Sequence, residues 1–144
     1  MKKKSRIGLV AAGSMLLVGV AASPSQAATT HFAGCDTTGA SGTVNTSGWD
    51  YEDTSIPSVD LTVWDTKADG HHVAIRLVTA YTDGYIYFPW HADYDGYATS
   101  KEVNSSVAKG GNIFNVGIQV GTFEGNTLLN HCTKWVDGST RDPS

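Results

Sequence analysis

The feature that most limits what this chain can fold into is a period of two in its side-chain pattern between Val59 and Phe88. In the run from Val59 to Asp65, Val59, Leu61 and Val63 alternate with Asp60, Thr62 and Trp64. In the next run, Val73, Ile75, Leu77 and Thr79 alternate with Ala74, Arg76, Val78 and Ala80. Successive strand residues point to opposite faces, so each run predicts a strand with an apolar face. Arg76 marks the face expected to meet water. β-Branched residues dominate, and their restricted χ1 suits a pleated surface. The turn residues Asp69-Gly70 and Asp83-Gly84 separate these runs from each other and from Tyr85-Ile86-Tyr87-Phe88. Three runs joined by short turns predict an antiparallel meander.

The flanking segments extend the same pattern. Short strands are expected around Thr30 to Cys35 and around Thr43 to Thr46, with a loop from Trp49 to Pro57. Tyr97 to Val107 reads as an edge strand whose Lys101 and Glu102 discourage strand addition. Ile113 to Thr122 reads as a strand with Phe114, Val116, Ile118 and Val120 on one face. Its other face carries Gly117, Gln119 and Gly121, so a neighbour is expected to approach closely there. Thr127 to Val136 pairs back after the turn Phe123 to Asn126. No segment of ten residues has a helical period. The expectation is an all-β chain, an antiparallel β-sandwich or small barrel of about seven or eight short strands.

Residues 1–27 read as a secretory signal peptide. Lys2, Lys3, Lys4 and Arg6 form the basic start, Ile7 to Val20 the apolar core, and Ser25-Gln26-Ala27 the small-residue cleavage site. The core is shorter than the ~20 residues a membrane span needs. Residues 28–144 then form one secreted, extracellular domain, long enough to fold alone. Cleavage takes away four of the ten basic residues and none of the fourteen acidic ones, which leaves a net charge of −8. That charge argues against nucleic acid and anionic membranes as partners. Two cysteines, Cys35 and Cys132, stand near opposite ends of this domain. Outside the cell they are expected to pair and to tie the first strand to the last. Closing so long a loop removes roughly 4 to 5 kcal/mol of unfolded-state entropy.

Three groups of residues could carry function. Asp93, Asp95, Gly96 and Glu102 follow the spacing of a calcium loop, with His91 where the first carboxylate would stand. They could form a weak calcium site or simply an acidic turn; no other cofactor is implied. Tyr87, Trp90, Tyr94 and Tyr97 lead an aromatic-rich stretch that also holds Tyr81, Tyr85 and Phe88. Exposed aromatics of this kind stack on sugar rings or anchor a protein partner, so these four are the candidate ligand-binding residues. The third group is histidine. His71 and His72, close to Asp69, could bind a transition metal, although adjacent strand residues point to opposite faces. No nucleophile elbow, zinc-binding helix motif or phosphate-cradling glycine loop is present.

The stretch Asp65-Thr66-Lys67-Ala68-Asp69-Gly70-His71, with the later Cys132-Thr133-Lys134-Trp135, resembles a group of small exported actinobacterial proteins. The resemblance covers about a third of the chain and implies a compact β-domain, with no activity to carry over. A second likeness is architectural, to small secreted amylase inhibitors of the tendamistat type, which are also disulfide-tied β-sandwiches. Their Trp-Arg-Tyr tripeptide is absent here, and they have two bridges where this chain can have one. The functional expectation is a monomeric, non-catalytic binding module for an extracellular glycan or protein. The alternatives are a secreted inhibitor or antagonistic toxin, and a small extracellular hydrolase.

Overall fold

The computed structural model describes residues 27–136. The expected signal peptide, apart from Ala27, and the polar tail from Asp137 lie outside the described residues. Among the described residues the protein is all β, with nine strands in two antiparallel sheets and no helix. The first sheet contains β1 (Thr30–Thr37), β2 (Ala40–Ser47), β3 (Ile56–Asp65) and β7 (Ser100–Val107), in the order β1-β2-β3-β7. The second contains β4 (His72–Tyr81), β5 (Gly84–Tyr87), β6 (His91–Asp93), β8 (Asn115–Glu124) and β9 (Thr127–Trp135). Its order is β5-β4-β8-β9, and β6 also pairs with β4.

The two inner faces meet in one core. Val44, Val59, Leu61 and Val63 from the first sheet pack against Val73, Ile75, Val116, Ile118 and Val120 from the second. These are the alternating positions that the sequence pattern assigns to the apolar face. The sheets come very close at Gly42 of β2. A Cβ built there would lie 2.5 Å from a Val120 methyl and 3.0 Å from the Ile75 δ-methyl. Only the missing side chain allows that approach.

The Cys35–Cys132 disulfide joins β1 to β9, and so links one sheet to the other. The Cα atoms are 6.1 Å apart, within the ordinary range for a bridge, and the cysteines are 97 residues apart in sequence. No helix among the described residues is long and apolar enough to cross a membrane.

Two expectations need correction. The runs from Val59 and from Val73 are not neighbours in a meander. The first belongs to β3, flanked by β2 and β7, and the second to β4, flanked by β8 and by β5 with β6. The segment from Thr66 to His71 crosses from one sheet to the other, so the two apolar faces oppose each other across the core. Ile56 and Pro57, expected in a loop, begin β3, and Ile56 is fully buried. The ninth strand has a local cause. β5 pairs with Val78 to Tyr81 and β6 with Val73 to Ile75, so both lie along one edge of β4. Pro89, between them, has no N–H to offer the ladder.

Candidate functional site

The outer face of the second sheet carries the candidate site. Strand register arranges it in ranks that run across the strands. His72 is opposite Phe123, Ala74 opposite Ala92 and Gly121, Arg76 opposite Gln119, and Val78 opposite Tyr87 and Gly117. On β9, Thr133 faces Gln119 and Trp135 faces Gly117. Trp90 and Tyr94 stand two residues either side of Ala92, on the same face.

The large ranks are tied together by their rings. His72 packs on Tyr94, with centroids 4.4 Å apart, and stacks on Phe123 at 5.4 Å. Trp90 meets Phe123 edge-on at 5.1 Å. Tyr85 leans on Trp135 at 5.5 Å. The glycines of β8 make this possible: a Cβ on Gly117 would lie 2.7 Å from the Trp135 ring, and one on Gly121 would lie 2.6 Å from Leu128. The close approach expected on the thin face of this strand is therefore made by side chains of β9. Ala74, Val78 and Trp135 are buried beneath this layer although they lie outside the main core.

Arg76 holds the centre of the face. Its guanidinium carbon lies 4.5 Å from the ring centre of Tyr87 and 4.5 Å from that of Trp90. Its Nε and Nη2 both donate to Gln119 Oε1, at 2.8 and 2.6 Å. Gln119 is buried, and its Nε2 donates to Thr133 Oγ1 at 3.0 Å. Burial pushes the guanidinium below its ordinary pKa, and the Tyr87 phenol beside it pulls the other way. No carboxylate among the described residues pairs with Arg76. Its charge is held by two π-faces and a neutral amide.

Between the rank of His72 and the rank of Arg76 lies a slot of about 250 Å³. Ala74 and Ala92 form its floor. His72, Trp90, Tyr94 and Phe123 form its walls, and the turn residues Gly125 and Asn126 its rim. Two other depressions differ in character. One, of about 350 Å³, lies between the β4–β5 turn and residues 109–112. The other, of about 450 Å³, lies on the outer face of the first sheet among Phe32, Asn45, Asp60, Glu102 and Asn104. Of these three depressions among the described residues, the slot on the second sheet is the one that combines stacked aromatic walls with a small-residue floor.

The structure brings together three of the four aromatic residues read from the sequence. Tyr87 and Tyr94 are exposed and Trp90 is partly exposed, all on this one face. Tyr97 is exposed elsewhere, in the turn before β7, and does not line the slot. Arg76, Gln119 and Phe123 belong to the site but were not among the candidates, and His72, read from the sequence as a possible metal ligand, joins it as an aromatic wall. Their shared face becomes visible only once β4, β6 and β8 are placed in register.

The structure sets the three residues of the calcium reading in different surroundings. Asp93 is buried and uses both oxygens locally: Oδ1 accepts the Asp95 N–H at 3.0 Å, and Oδ2 accepts the Thr99 hydroxyl at 2.9 Å. Asp95 is exposed. Glu102 sits on β7 opposite Thr62 and lines the depression on the other sheet. Among the described residues, no group of three or more His, Cys, Asp or Glu side chains could hold a metal ion. His71 pairs with Asp69, its Nδ1 3.3 Å from Oδ1, whereas His72 lies in the aromatic rank. The two histidines thus part to different surroundings, His71 in the crossing segment and His72 at the start of β4. Comparison with family models, with curated proteins and with solved structures finds no match.

Proposed function

We propose that the protein is a secreted, monomeric, non-catalytic binding module whose contact surface is the outer face of the second sheet. The observation that carries this reading is the slot itself. Natural surfaces seldom leave a connected set of large rings at the surface unless a partner covers them. Here Tyr87, Trp90 and Tyr94 are turned outward in fixed orientations by Arg76, His72 and Phe123. Such a surface suits an extracellular glycan, because flat rings offer a π-face to the C–H face of a sugar. Export is supported by the basic-then-apolar start of the chain and by a disulfide of the kind that persists in oxidising compartments. The experiment is a glycan array together with a pull-down on cell-wall material. Wild-type protein is retained and Trp90→Ala is lost. Equal retention of the two refutes the reading.

One observation favours a second reading, a secreted inhibitor or antagonistic toxin. Tyr, Trp and Arg are the residues that most often dominate protein interfaces, and Tyr87, Arg76 and Trp90 form one such group. On this reading the wild-type protein binds no glycan but blocks a hydrolase or halts the growth of another cell.

A further inference from the structure

We infer that the slot floored by Ala74 and Ala92 takes one uncharged pyranose residue of a saccharide chain. This rests on the reading that the outer face of the second sheet binds a ligand, and it names the chemical class of that ligand.

Shape is the first argument. Trp90 and Tyr94 each stand two strand residues from Ala92, about 6.6 to 6.8 Å along the strand on either side. The alanines put no bulk between them. A saturated six-membered ring laid over the alanines, with one apolar face roughly 4 Å from a wall ring, fits within that spacing. The volume of about 250 Å³ accommodates one sugar residue and no more than part of a second.

Charge is the second argument, and it removes the competing ligands. An aromatic recess invites a quaternary ammonium group. Here the Arg76 guanidinium already lies 4.5 Å from the Trp90 ring centre. A cation in the slot would face a cation through one ring. An anion fares no better. Among the described residues no Lys or Arg lines the slot, and two nitrogens of Arg76 are committed to Gln119. The expected mature chain carries a net charge of −8, with Asp95 next to Tyr94 and Glu124 next to Phe123. A neutral ring meets none of these penalties.

Polar handles are the third argument. Asn126, exposed at the rim, offers a donor and an acceptor together, which is what a sugar hydroxyl needs. His72 supplies ring nitrogens on the wall beneath.

The test uses the intact secreted protein on an array of neutral and acidic oligosaccharides, with choline chloride as the cation probe. Three variants are compared: Trp90→Ala, Ala92→Leu, which fills the slot but removes no ring, and Asn126→Ala. Asn45→Ala, on the outer face of the first sheet, is the control. Neutral glycans bind the wild type and the control alike, Ala92→Leu weakens binding at least tenfold, and Asn126→Ala weakens it severalfold. Should Ala92→Leu fail to fold, Asn126→Ala carries the test by itself. Neutral-glycan binding that neither variant alters overturns the inference. So does Trp90-dependent binding of acidic glycan, choline or cell-wall protein alone, although the face would then remain the binding surface. If nothing binds in a Trp90-dependent way, both the inference and the reading beneath it fail.

Discussion

The guanidinium of Arg76 lies over the indole of Trp90, 4.5 Å from its ring centre, although Arg76 is on β4, Trp90 is in the link between β5 and β6, and the two are fourteen positions apart in the chain. Arg76 is the residue that orients the candidate site. Its removal costs two ring contacts and leaves the buried Gln119 Oε1 without its donors. Arg76→Ala is expected to lower unfolding stability by about 2 kcal/mol. Arg76→Lys keeps the charge but not the fork, and recovers only part of the loss. Urea unfolding measures both.

Reduction of the disulfide should be costly. Cys35 and Cys132 close a loop between positions 97 residues apart, and in the chain-entropy model such a crosslink contributes roughly 4 to 5 kcal/mol. A protein with both cysteines changed to alanine should show a correspondingly lower denaturation midpoint, with little change in far-ultraviolet circular dichroism under native conditions.

At Gly42 the core leaves no room for a side chain. An alanine methyl there overlaps the Val120 and Ile75 methyl groups. Gly42→Ala is expected to destabilise the fold by about 1 to 3 kcal/mol, because side chains from both sheets must shift to admit it. A Tm within a degree of wild type would mean that the sheets can separate freely at this point.

Acid should reveal Asp69. The backbone N–H of His71 donates to its Oδ1, and this bond, with the His71 ring and Lys67 nearby, holds its carboxyl below the ordinary value of 3.8. A carboxyl with a depressed folded-state pKa contributes stability that is fully present above its unfolded value. That contribution is lost as the pH falls through the folded value. The Tm difference between wild type and Asp69→Asn should therefore stay constant at neutral and mildly acidic pH, and shrink only below pH 3.8.

Calcium should not stabilise the protein. The oxygens of Asp93 are engaged by Asp95 and Thr99, and Glu102 faces away on the first sheet. The Tm in excess calcium should equal that in chelator. A rise of several degrees that Asp95→Asn abolishes would restore the calcium loop read from the sequence.

What could be read in the sequence, and what could not, divides along a physical line. Alternation within one run is local. Val59, Leu61 and Val63 therefore identified their inward face correctly, as did Val73, Ile75 and Leu77. The thin face of Gly117, Gln119 and Gly121 likewise announced a close neighbour. Alternation does not say which sheet a strand joins. Short turns at 66–71 and 82–84 look alike in sequence, yet the first crosses between sheets and the second closes a hairpin. The site divides in the same way. Tyr87, Trp90 and Tyr94 lie along one edge and could be grouped by their spacing. His72, Arg76 and Phe123 come to them across strands, through a register the sequence does not state. Arg76 in particular has the pattern of a solvent-facing strand residue. It proves partly buried because aromatic side chains close over it.

The central claim, that the ligand lies on the aromatic face of the second sheet, can be tested with the tryptophans the chain already has. Trp49 and Trp135 are buried, Trp90 borders the slot, and Trp64 is exposed on the outer face of the first sheet. Oxidative footprinting with and without cell-wall material, read by mass spectrometry, compares the two accessible rings directly. The account predicts that bound material protects Trp90 and leaves Trp64 as reactive as before. Protection of Trp64 with Trp90 unchanged would place the ligand on the opposite sheet and contradict it.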